Sequence, residues 1–398
     1  MKIKKFLFVF LLFSSVKTLL ANPPLQSSKP LSGTIAHQRD IEKLIAITKN
    51  HALESMTLDF SYAGRNARAF LQLFLRNTPE DKLSLITKLD ILHTYFDSWP
   101  CFQALSHLEA LSVSHSNLSG ARVNIDNFPH LKKLIFYATE FTTPPKLSNL
   151  PNLEALILSG ANLVLPPALN KITRLETLDL SDNPLALSPE LSKNPTLKNV
   201  SLSNTNLKEL PAGFENLLQL KWLRLDDNPL SQSLDFSKFE RLETILLKNC
   251  GLTKLPLLSN AGTITKIDLS HNKLTMLPEN IISLRNVRTL YLHNNHLSER
   301  PKLNELQHLE KLNITNNHFT NPASPVIAQH DDSYHQENNS HTRTNIAEIL
   351  CTMNNASFDS IQIDLTSAHD VTNTALPQLF SLLKNSSRIK KVRLTLGK

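Results

Sequence analysis

Between residues 86 and 319 one eleven-residue pattern, L-x-x-L-x-L-x-x-N-x-L, recurs eleven times. Leu175 to Leu185 reads LETLDLSDNPL, Leu220 to Leu230 reads LKWLRLDDNPL, and Ile264 to Leu274 reads ITKIDLSHNKL. The copies begin at 86, 108, 131, 153, 175, 197, 220, 242, 264, 287 and 309, so every step is 22 or 23 residues. A fixed period of this length confines the chain to an array of stacked units, each packed on its neighbours.

Positions 4 and 6 of the pattern alternate with polar residues and predict a short strand with one buried face. Positions 1 and 11 are also apolar and close the interior. Position 9 has to satisfy backbone groups inside the turn that follows the strand. Asn183, Asn228, Asn272, Asn295 and Asn317 suit that role. Thr94, Ser116, Thr139 and Thr205 are shorter hydrogen-bonding substitutes, and Cys250 is a small buried one. Ala161 has no hydrogen-bonding side chain and predicts the weakest rung. A single unit cannot bury its own apolar side; stacked copies can, through a parallel sheet on one side and short connectors on the other.

The connectors NLKELPAGFENLLQ and KLTMLPENIISLRN follow L-x-x-L-P-x-x-x-x-x-L, with shorter forms KLPLLSNAG and ERPKLNELQ. Pro211, Pro256, Pro278 and Pro301 sit where the chain leaves each turn. Such connectors accommodate at most a turn of helix, with extended or 3₁₀ pieces elsewhere. On these motifs the chain resembles the leucine-rich repeat family, in its 22/23-residue, Ras-suppressor-like class, over roughly 60% of its length. The resemblance implies an α/β fold: a curved horseshoe solenoid with a parallel sheet on its concave face and short helical or 3₁₀ connectors on its convex face. It also implies a protein-binding role. Longer, helix-containing repeats are expected at both ends. Leu53 to Leu58 reads as a strand and 65–80 as helix. Phe358 to Ile363 and Ile389 to Leu394 read as strands flanking a helical 373–385. The expected organisation is a signal peptide at 1–21, an N-terminal helical cap and first repeat at 30–85, and eleven repeats at 86–320. A polar loop at 321–345 and C-terminal capping repeats at 346–398 complete it. Fourteen strands would give a sheet roughly 60 Å long.

Lys2, Lys4 and Lys5 precede an apolar run from Phe6 to Phe13, and Leu19-Leu20-Ala21 precedes Asn22-Pro23-Pro24. This pattern reads as a secretory signal cut after Ala21. The run is short for a bilayer span, and no stable membrane anchor is expected. Three cysteines, Cys101, Cys250 and Cys351, make no disulfide framework. Asn-x-Ser/Thr triplets such as Asn199-Val-Ser201 and Asn313-Ile-Thr315 lie on the expected sheet, where a glycan would block it. Both points favour a bacterial exported protein, and the chain resembles exported bacterial leucine-rich repeat virulence effectors. Delivery into a host cell and retention in the envelope both fit the sequence.

The formal charge of +7 includes four lysines of the leader, which leaves about +3 and no nucleic-acid footprint. No H-E-x-x-H, P-loop or G-x-S-x-G motif is present, and eight glycines supply little for phosphate loops. Cys351 lies in an apolar helical stretch and reads as a buried thiol. His330, Asp331, Asp332, His335 and His341 lack the spacing of a compact metal-ligand set. No catalytic residue, cofactor or metal is expected. The principal expectation is a monomeric, non-catalytic scaffold that binds a protein, of the host or the envelope, on its concave face. A structural or adhesive envelope role is the alternative, and an enzyme hidden in 321–398 a third.

Strand positions 3, 5 and 7 point into the concavity. Asp90, Ser112, Asp179, Ser201, Arg224, Asp268 and Asn313 make position 5 mostly polar. Two sets break the pattern: Ile135, Tyr137 and Ile157, and Trp222, Arg224, Leu246 and Tyr291. Exposed Trp, Tyr and Arg are enriched at interface hot spots, so these seven residues are the candidate binding surface. The ordinary alternative is scattered exposed apolar residues. Interleaved aromatic and basic residues also raise nucleic acid, which Asp179, Asp226 and Asp268 oppose. His271, His293, His296 and His318 crowd the strand ends of the last repeats, either as a pH-sensitive group or as turn residues without a role.

Overall fold

The computed structural model describes residues 31–318, apart from 101, 127, 231, 232, 259–261, 279, 280, 282, 300–302, 304, 305 and 307, together with 360–365 and 391–396. Thirteen strands form one parallel sheet in strict chain order. They begin with Leu31–Thr34, Ser55–Asp59, Lys88–Leu92 and Ala110–Ser114 and continue in three-residue strands from Lys133–Ile135 to Lys311–Asn313. Equivalent residues pair at every step: Leu178 with Leu156 and Val200, and Leu223 with Val200 and Ile245. This in-register stacking follows from the constant period, because each unit repeats the turn geometry of the one before it.

Pattern positions 4 and 6 form the core. Leu178, Leu180, Leu223, Leu225 and Phe136 are fully buried, and so are position-1 residues such as Leu175 and Leu220. Each such side chain contributes about 1.5–3 kcal/mol by leaving water. Larger rings fill the wider first repeats, where Trp99 packs edge-on against Phe96 and Phe136, and Phe136 against Phe141. A second aromatic cluster, Phe214, Phe236 and Phe239, fills the connector layer further along. Connectors come close there. A Cβ at Gly213 would lie 2.3 Å from the Ser192 nitrogen, and φ is +78°, so only glycine fits.

Position 9 behaves as a rung. The Nδ2 of Asn183 donates to the carbonyls of Leu158, Leu180 and Ser181, while its Oδ1 accepts from the N–H of Ala161 and Leu163. One buried amide thus satisfies its own turn and the turn before it. Asn228, Asn272, Asn295 and Asn317 repeat the arrangement. Thr139 Oγ1 and Cys250 Sγ reproduce the backward donation, to the carbonyls of Val113 and Leu225. Burial pushes the Cys250 thiol up to about 12, which makes it a structural thiol. Ala161 is buried without a donor for its neighbour, as its sequence implies.

Position 8 carries a second constraint, set by the backbone rather than by hydrogen bonding. His93, His115, Ala138, Gly160, Asp182, Asn204, Asp227, Asn249, His271, Asn294 and Asn316 all have φ between +48° and +63°. Every repeat therefore turns through the left-handed region, which explains the Asn, Asp, His and Gly found there.

The ends differ from expectation in two ways. An additional strand, Leu31–Thr34, precedes the expected first strand and pairs with it. The strands Ser360–Leu365 and Lys391–Leu396 pair parallel with each other in a separate two-stranded sheet, so the described sheet does not contain fourteen strands. Helix α1 (Gln38–Asn50) begins where Asp40 Oδ2 accepts the Ala36 and His37 N–H groups, and it buries Ile41, Leu44 and Ile45. It packs on α2 (Ala67–Asn77), which buries Leu71, Phe74 and Leu75. The polar loop 321–345, the helix at 373–385 and Cys351 lie outside the described residues.

Candidate functional site

The sheet face turned away from the core presents positions 3, 5 and 7 of successive repeats. Register places Arg224, Leu246, Asp268 and Tyr291 side by side in one row, and Trp222 in the row beside it between Asn199 and Thr244. The other set also forms a unit, with Ile135 paired directly to Ile157. Tyr137 follows one step along the chain, its ring set edge-on to His115 at 5.3 Å. Trp222, Tyr291, Tyr137 and Ile157 are half-buried and reach solvent.

Three expected contact residues are corrected. Ile135 and Leu246 are only 5% and 7% exposed, although neither belongs to the core. Parallel strands lie about 4.8 Å apart, so side chains in adjacent register cover one another without entering the interior. Ser112 and Ile157 flank Ile135, while Arg224 and Asp268 flank Leu246. The third is Arg224, whose Nε donates to Asp226 Oδ2 at 2.7 Å with both side chains largely buried. Its guanidinium serves the sheet itself.

The charges explain that arrangement. Burial raises Asp226 above the ordinary carboxylate range, and the adjacent Arg224 opposes the rise. Burial likewise raises Asp179, against hydrogen bonds from Ser181 and the field of Arg224. Ser181 donates to Asp179 Oδ1 through both its N–H and its hydroxyl, at 2.9 and 2.5 Å. Asp268 with Ser270, and Asn313 with Thr315, repeat this local closure. The acidic residues of the face are thus turn-forming groups. Among the described residues no group of three or more His, Cys, Asp or Glu side chains is placed to hold a metal.

The C-terminal histidines fall into two pairs. His296 and His318 stack with centroids 5.1 Å apart and Nδ1 to Nε2 at 3.1 Å. His271, a left-handed turn residue, meets His293 edge-on at 5.2 Å. Burial, then Lys248, holds His271 below the usual imidazole range.

With this geometry established, the repeat at 174–194 matches the family model described as Leucine Rich Repeat. The chain has the leucine-rich repeat solenoid fold. Its solenoid is similar to that of a leucine-rich repeat protein from Leptospira interrogans, with a TM-score of 0.64 and 17% identity over 92% of this chain and 100% of that one. It is also similar to an internalin from Listeria monocytogenes, with a TM-score of 0.54 and 18% identity over 82% of this chain and 93% of that one. No curated protein matches the sequence. At these identities the likeness is one of fold. Leucine-rich repeat proteins generally bind protein partners, and the sheet of this chain is continuous over thirteen strands.

Proposed function

We propose that this chain is a non-catalytic scaffold, exported by a bacterium, that binds a protein partner of the host or the envelope on the outer face of its sheet around Trp222 and Tyr291. The observation that carries the reading is the pair of half-buried aromatic rings on a stretch of the face where Arg224 is already paired with Asp226 within the sheet. The strands of Trp222 and Tyr291 flank those of Leu246 and Asp268, so a partner would rest apolar groups on the rings beside a carboxylate. Trp222→Ala should lower affinity by about 2 kcal/mol, roughly thirty-fold, because centrally placed Trp side chains dominate interface energies. The melting temperature should stay within about 2 °C of wild type, since the ring is outside the core. A host-lysate pull-down followed by titration of the retained protein, beside melting of the same variant, supplies both numbers. Unchanged affinity would move the surface to Tyr137 and Ile157; an unfolded variant would make Trp222 structural.

Export rests on the leader. Mass spectrometry of protein recovered outside the producing cytoplasm should give an N-terminus at or near Asn22. Retention of Met1 would require another route.

A further inference from the structure

The first three repeats hold a cleft that the face around Trp222 does not use. Its volume is about 410 Å³. It exists because the connector after Ser55–Asp59 is unlike the others. Phe60 is fully buried and donates its N–H to the Leu92 carbonyl, and Ser61 and Gly64 line the cleft before the chain enters α2. Below them lie the turns of three successive repeats, which supply His93 and Tyr95, His115 and Asn117, and Glu140.

The chemistry of these walls is specific. His93 and His115 stack with centroids 5.4 Å apart, and Tyr137, outside the lining, meets His115 edge-on. Tyr95 is 39% exposed. His93 Nδ1 lies 3.1 Å from Asp59 Oδ1, and Asn117 Nδ2 donates to Glu140 at 2.6 Å. Burial favours a raised Asp59, but hydrogen bonds from Ser61 and His93 outweigh it and hold the carboxyl below its usual range. Burial, then His93, holds His115 below the usual imidazole range. No Lys or Arg lines the cleft; the nearby Arg68 faces Asp97 at 3.8 Å. An aromatic wall with the Glu140 carboxylate in its lining, no Lys or Arg beside it, and Asp59 held against His93, attracts positive charge through the ring faces and by direct pairing. The volume suits one side-chain head group at the lower end of small-ligand sites.

We infer that this cleft is a binding site for a basic side chain, an arginine guanidinium or a lysine ammonium, presented by an extended segment at the strand-end edge of the first three repeats. It lies several repeats from Trp222 and stands or falls independently of that surface.

The test uses the mature full-length chain and ring-proton NMR of its histidines. N-acetyl-arginine amide and N-acetyl-lysine amide are titrated beside N-acetyl-citrulline amide, which keeps the shape of arginine without its charge. Saturable shifts of the His93 and His115 signals are expected with one or both cationic probes, with Kd of about 1–10 mM. Citrulline should bind at least tenfold more weakly. Glu140→Gln, on an exposed side chain, and the double variant Asp59→Asn with Glu140→Gln should each weaken the cationic probe, the double variant at least tenfold. Their thermal melts establish that the fold persists. Equal binding of citrulline, the absence of any saturable shift, or full affinity in a folded double variant would overturn the inference.

Discussion

Asn228→Ala should lower the unfolding free energy by about 3 kcal/mol or more. The side chain is 1% exposed. Its Nδ2 donates to the carbonyls of Leu202, Leu225 and Asp226 at 2.6, 2.8 and 3.3 Å. Its Oδ1 accepts from the N–H groups of Thr205 and Leu207 at 3.1 and 2.8 Å. Alanine removes every one of these bonds and leaves the backbone groups in a place closed to water, where each unsatisfied group costs about 1–3 kcal/mol. Partial relaxation and water entry keep the total below the simple sum. Urea unfolding with Lys171→Ala as an exposed control should separate the two variants clearly. A shift under about 1 kcal/mol for Asn228→Ala would mean that the rung is decoration on a stack held by its leucines alone.

Leu223→Ala should cost about 2–5 kcal/mol, the range of buried leucine truncations. Leu223 is fully buried between Val200 and Ile245 of the neighbouring strands. Leu246 is the informative comparison. It lies one strand away on the opposite face, buried by Arg224 and Asp268 but outside the core. Truncation there opens a cavity that solvent can enter, so Leu246→Ala should cost less than half as much in the same urea series. Equal costs would show that the outer face is packed as tightly as the interior, contrary to the core membership described above.

The stack itself was legible because period, register and burial are one constraint written eleven times. The roles of Asn183, Asn228 and Asn272 followed from the need of a buried turn for a two-way hydrogen-bonding side chain. Position 8 was equally legible, since nothing else explains His93, Asp182, Asn249 and Asn294 in one phase, yet the turn was credited to position 9 alone. The outer face was harder to read. Alternation predicts that Ile135 and Leu246 point away from the core, and they do, but it says nothing of what adjacent repeats place over them. Arg224 reads as a hot-spot residue in sequence and as the partner of Asp226 in space, because their pairing depends on side-chain reach. The cleft had only one trace in the chain, the spacing of 33 residues between the strands at 55 and 88, and the Asp59–His93 contact spans that insertion. The separation of the last two strands from the main sheet was not written in their local pattern at all, since a strand's own alternation does not name its neighbour.

The uneven spelling of position 9 has a mechanical consequence. From Asn183 onward five of the seven rungs are amides that donate to a carbonyl of the unit before, whereas Thr94, Ser116, Thr139 and Ala161 carry shorter side chains. Coupling between units is therefore expected to be uneven, and the joint at Ala161 is the one whose rung side chain can make no hydrogen bond. Because nearest-neighbour coupling sets how such arrays open, a load applied along the stack concentrates its strain at that joint.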